Sequence, residues 1–167
     1  MAYCFPLIFD DHLNIIVKPQ SNEILDKKIN RFREKSGNKM IPMGVSLREV
    51  YQKIIANEIV CFLIDQSAHS EYSVYSEFFG KKVASFAGSS KLGLKYRPEL
   101  IFAYLIRDDK YKYKIFTDEI NYDDLKDISE ENVTILTQRV QSKLEEVVRK
   151  YPEQWLWFHR RFKYIKN

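Results

Sequence analysis

Asp65 and Gln66 directly follow the most continuously apolar stretch of the chain, "IVCFLI" at residues 59–64. In open α/β sheets ligands gather at the carboxyl ends of strands. A carboxylate and an amide placed there could face a pocket. They could equally close a strand-to-loop turn, with Asp65 capping local backbone N–H groups. Phe78-Phe79-Gly80 also has two readings. The rings could wall an apolar tunnel while Gly80 admits close backbone approach, or they could plug the core. The third candidate is "YPEQWLWFHRRFK", residues 151–163. Guanidinium forks match phosphate oxygens, which suits Arg160 and Arg161 to anionic partners. The aromatics would then sit at a membrane interface or pack the arginine stems. The plainer reading is a helix that packs Trp155 and Phe158 on the core and turns both arginines to solvent.

Other chemistry is poorly represented. There is no G-x-S-x-G, no glycine-rich phosphate loop and no C-x-x-C. His12, His69 and His159 show no zinc-ligand spacing. His69 stands among Ser67, Ser70 and Glu71, where a solvated loop histidine and a general base are both conceivable. Cys4 and Cys61 suggest neither a metal site nor a disulfide framework. Cys61 reads as a small buried hydrophobe, consistent with reducing, cytoplasmic surroundings.

The net charge is +4, and Arg160, Arg161, Lys163 and Lys166 stand without an acid in residues 159–167. Residues 1–158 are therefore neutral, and the basic character is a local C-terminal patch. That argues for a specific anionic surface rather than nucleic acid, which would call for a broad basic stripe. The strongest apolar run spans residues 59–64, far short of the roughly 20 residues a membrane helix needs. "MAYCFPLIFDDH" lacks the basic n-region of a signal peptide.

The elements expected to position these residues alternate. Residues 13–18 form a β-branched run ended by Pro19, and Asn22 can cap a helix over 23–36 that Gly37 closes. Ile24, Leu25, Ile29 and Phe32 give that helix an apolar side. Residues 39–42 read as a brief strand. Ser46 and Glu49 form a capping box before a helix that stops near Asn57. Residues 59–64 read as a strand buried on both faces of a parallel sheet. Residues 87–96 look helical but are weakened by Gly88 and Gly93. Residues 100–107 and 111–116 read as strands joined by a hairpin-like turn. Ser129 caps the longest helix, which Pro152 ends. The order predicts an α/β fold, a mainly parallel sheet flanked by helices, in a single domain over residues 1–167.

Several of these pieces resemble one family, the bacterial lipid A biosynthesis acyltransferases of the lauroyl/myristoyl type. "PEQWLWFHRRFK" is similar to the family's closing signature. "VCFLIDQS…EFFGKKVASFAG" is similar to its third motif block, "VKPQSNEILDKKINRFREKSG" to an earlier one, and "PELIFAYLIRDDKYKYKIF" to its late strands. The resemblance covers nearly the whole chain. It implies a glycerolipid-acyltransferase-like α/β sandwich that needs no metal or cofactor. It also implies transfer of a fatty acyl chain from acyl carrier protein to a lipid A precursor hydroxyl, at the cytoplasmic face of the inner membrane. By matching position it implies substrate contacts at Lys18, Asn22, Arg33, Asp65, Gln66, Phe79 and Gly80; Arg160 and Arg161 match its closing signature, and the local C-terminal charge leads us to expect them on lipid A phosphates or anionic headgroups. Lys18 replaces the arginine of many relatives, keeping the charge but not the bidentate fork.

One part of the family pattern is absent. The family's general base is the histidine of a His-x4-Asp (or Glu) motif. Here the position five after His12 is Val17, after His69 is Val74, and after His159 is Tyr164. In the family that motif lies upstream of the part matching residues 13–18. The chain is therefore expected to be the C-terminal part of such an acyltransferase, N-terminally truncated and inactive alone. The alternative is a non-catalytic remnant that binds anionic lipid or a partner through its Arg/aromatic C-terminus.

Overall fold

A computed structural model describes residues 5–44, 47–68 and 73–165. Ser46 of the expected capping box and His69 and Glu71 of the polar stretch lie outside the described residues, as do Cys4, Ser70 and Lys166. The chain has the expected α/β character and divides into two compact units, Met1–Leu63 and Ile64–Asn167.

The first unit contains a short helix, α1 (Phe5–Phe9), and a parallel sheet in the order β2-β1-β3. β1 (Leu13–Val17) is central; β2 (Lys39–Pro42) and β3 (Ile59–Cys61) flank it. The registers run Asn14↔Lys39 to Val17↔Pro42 and Leu13↔Ile59 to Ile15↔Cys61. Parallel neighbours need crossovers, which α2 (Glu23–Glu34) and α3 (Leu47–Ile55) supply. Asn22 caps α2, its side chain accepting from Leu25 N at 3.0 Å. Gly37 follows with φ +106, a left-handed conformation that glycine adopts at little cost. Leu13, Ile15 and Val17 form a small core with Phe5, Met40 and Cys61 packed on it.

Two sequence expectations fail in this unit. The strand expected over residues 59–64 ends at Cys61, and Ile59 is 42% exposed. It is an edge strand; the strand buried along its length is β1. α2 buries no residue. Ile24, Leu25 and Phe32 of its apolar side are exposed, and the more covered positions are Asp26, Ile29, Asn30 and Arg33.

Glu58, just before β3, fastens the amino edge of this sheet. Its carboxylate lies 2.9 Å from His12 Nε2, and it accepts from Lys53 Nζ at 3.0 Å and Asn14 Nδ2 at 3.1 Å. These bonds, His12's first, hold its pKa down at about 2.

The second unit holds two antiparallel hairpins and the longest helix. β4 (Ser73–Phe78) pairs with β5 (Lys81–Phe86), and β6 (Ile101–Asp109) with β7 (Lys112–Glu119). α4 (Gly88–Tyr96) links the hairpins, and α5 (Glu130–Lys150) follows with Ser129 as its cap. The core collects Phe78, Val83, Leu94, Phe102, Leu136, Leu144 and Val148. Gly93, expected to weaken α4, has a packing reason. A Cβ there would lie 2.9 Å from Leu100 Cδ1.

Candidate functional site

The tail is where the second unit is tied together. After α5 come a single 3-10 turn at Pro152–Gln154 and a series of tight turns, not the expected helix. The turns close through Trp157 N→Trp155 O and His159 N→Leu156 O, both 3.0 Å, and Arg161 N→His159 O, 2.8 Å. Trp155 packs toward Phe78, with centroids 6.1 Å apart, and Phe162 approaches the same ring at 6.0 Å. Phe158, placed on the core in the plainer of the two readings, is 97% exposed. The turn that packs half-buried Trp155 against the core leaves Phe158 outside it.

The two arginines have opposite environments. Arg160 is exposed. Arg161 is 1% exposed. Its Nη1 donates to Ala84 O at 2.8 Å, and its Nη2 to Ser85 Oγ at 2.7 Å and Gln141 Oε1 at 2.8 Å. The guanidinium carbon stands 5.2 Å from the Phe78 ring centroid. Burial lowers its pKa to about 10, against the opposing pull of Asp65. It remains a cation at neutral pH, committed to β5 and α5. The surface role expected of both arginines is thus open to Arg160, while Arg161 is a clasp.

Asp65 and Gln66 are exposed on a strap fastened on both sides. Ile64 O accepts from Gln141 Nε2 at 3.4 Å, and Ala68 N donates to Ala84 O at 3.3 Å. Between them, Ser67 N donates to His159 Nε2 at 3.0 Å. That bond places the neutral ring's proton on Nδ1 and occupies the lone pair a general base would use. The strap, His159 and Arg161 thus converge, and the first two candidate residues face solvent beside them.

Phe79 and Gly80 are the two turn residues of the β4–β5 hairpin, between paired Phe78 and Lys81. Their φ values of 52 and 69 fit the two-residue turn that matches strand twist. Phe79 N donates to Glu145 Oε2 at 2.6 Å, and Arg149 lies 4.5 Å from the Phe79 centroid. Phe78 is the core plug of the two earlier readings. Gly80 has nothing within 4 Å of a Cβ, so its positive φ, not a close approach, calls for glycine. Gly80→Ala is expected to lower stability by about 1 kcal/mol, read as a shift in the urea midpoint.

In the first unit Lys18 is exposed just beyond the carboxyl end of β1. Asn22 uses its side-chain oxygen as the α2 cap. Arg33 is half-buried, donating to Asn30 Oδ1 at 3.3 Å.

Sequence reasoning missed Gln141, Ser85, Glu145 and His159 as organisers of this region. Gln141 carried a signal. It falls on the buried stripe of α5 with Val133, Leu136 and Leu144, and a polar residue there needs a buried partner. Among the described residues no group of His, Cys, Asp and Glu side chains could hold a metal ion, and no helix is long and apolar enough to cross a membrane.

The family model for bacterial lipid A biosynthesis acyltransferases matches residues 10–164. No curated protein matches the chain.

Proposed function

Since the chain belongs to the bacterial lipid A biosynthesis acyltransferase family, we propose that it contributes the substrate-holding part of an acyl transfer from acyl carrier protein to a lipid A precursor. The family match over residues 10–164 carries this reading. In the reaction the precursor hydroxyl oxygen attacks the thioester carbonyl. The C–S bond breaks, the carrier's thiol leaves, and the hydroxyl proton passes through a base to the sulfur. Asp65 and Gln66, exposed on their fastened strap, are suited to orient the acceptor. Arg160 is suited to a lipid A phosphate, and in the other unit Lys18 offers a point charge of its own. Arg161 supports the site by holding the tail on β5 and α5.

We assign no general base among these residues. No histidine here begins a His-x4-Asp, and His159 Nε2 already accepts from Ser67 N. The chain alone is expected to bind precursor without turning it over. Incubation with acyl carrier protein thioester and precursor, followed by mass spectrometry, checks this. Acylated product would place a base within these residues and overturn the assignment of roles. Arg160→Ala is expected to weaken precursor binding about tenfold, the worth of one charge-assisted hydrogen bond.

A second reading, anionic-lipid binding through the tail, has its own observation. Leu156 (67%), Trp157 (56%) and Phe158 (97%) are exposed beside exposed Arg160 and Lys163. The Trp157 indole N–H is already satisfied by Pro152 O at 2.7 Å, so the ring can enter an apolar phase without stranding a donor. We set the acyltransferase reading at the cytoplasmic face of the bacterial inner membrane, where its acceptor would lie.

A further inference from the structure

α2 covers the sheet with the wrong face for an ordinary surface helix. Its more covered positions, Asp26, Ile29, Asn30 and Arg33, recur at the i, i+3, i+4, i+7 spacing of one face, and three of the four are polar or charged. The opposite arc carries Ile24, 70% exposed, Leu25, 49%, and Phe32, 63%. On the same arc lie Lys27, Lys28, Arg31 and Lys35, all exposed, and no acid. Glu23 and Glu34 fall toward its edge. Among the described residues none of those four cations is held in an ion pair.

We propose that this outer face of α2 lies in the headgroup region of an anionic phospholipid bilayer, parallel to its plane. The combination of residues selects this occupant. Apolar side chains set among cations suit a layer with anionic headgroups above and hydrocarbon below. A protein groove would cover the apolar positions and strand the lysines. Lysine and arginine stems lie along the apolar boundary while their heads stay among the phosphates. A helix of 12 residues is about 18 Å long, too short to span and long enough to rest on the surface. The proposal is independent of the acyltransferase reading and of the tail.

Vesicle sedimentation tests it with the full chain. The wild-type protein is expected to sediment with phosphatidylglycerol vesicles and not with phosphatidylcholine vesicles, and to be released by added salt. The variants I24S/L25S and K27E/K28E/R31E should each bind phosphatidylglycerol at least tenfold more weakly. Their unfolding midpoints should match wild type, since these side chains face solvent. Vesicle binding that either variant leaves unchanged would overturn the proposal. So would wild-type self-association, abolished by the same variants, in place of vesicle binding. Precursor binding in detergent, and its response to Arg160→Ala, reports on the acyltransferase reading separately.

Discussion

Arg161→Ala is expected to destabilise residues 64–167 by about 3 kcal/mol, the loss of three buried hydrogen bonds from a charged donor together with the void left by a large side chain. The substitution removes three buried hydrogen bonds and leaves Gln141 Oε1 without its donor, while Ala84 O keeps Ala68 N and Ser85 Oγ keeps the Ser76 hydroxyl. Arg161→Lys keeps the charge but cannot reach three acceptors in two directions, so most of the loss should persist. The neighbouring Arg160→Ala removes the same formal charge from an exposed position and should stay within about 0.5 kcal/mol. Urea unfolding of the three variants checks the contrast. Equal losses at 160 and 161 would mean that charge near the tail, not the clasp, is what matters.

The second large effect is expected in the first unit. Glu58→Ala should cost about 2 kcal/mol, because three donors converge on one carboxylate. Asn14, whose Nδ2 is one of them, is fully buried. The wild type should show the matching acid dependence. A carboxyl held near 2 when folded and titrating near 4.5 when unfolded favours the folded state above about pH 4.5. That contribution is lost as pH falls from there toward 2. Its size is trimmed to about 1–2 kcal/mol, since the side chain is 24% exposed and solvent screens it. Glu58→Gln should flatten this stretch of the stability–pH curve. A curve unchanged by the substitution would locate the acid sensitivity elsewhere.

Much of the first unit is legible from short-range signals. Asn22, Gly37 and the β-branched run of β1 state their roles locally, as Ser129 does for α5. The β4–β5 hairpin is not legible. Its turn is Phe-Gly where Asn-Gly would announce it, and Phe79 at φ 52 is tolerated because Glu145 and Arg149 hold it from α5. Arg160 and Arg161 are identical in type and adjacent. What separates them is Ala84 and Ser85, more than 75 positions away in sequence. The outward face of α2 is hidden for a different reason. An apolar stripe predicts that something covers it, and says nothing about whether that is the protein's own sheet.

The clasp also bears on how the second unit comes to fold. β5 takes its last partners from the tail: Arg161 on Ala84 O, Tyr164 O on Ala84 N, and the Val83↔Ile165 bridge. A nascent chain that has produced both hairpins and α5 still lacks all three. The edge of β5 lacks these partners and the Phe78 region stays open until translation passes residue 165 and that stretch leaves the ribosome. Loop closure over so long a separation is slow compared with forming either hairpin. The interval exposes a strand edge of the kind that chaperones shield and that pairs with other chains. Carboxyl-terminal fusions that delay or obstruct the tail should therefore lower the soluble yield, even where they leave the finished fold untouched.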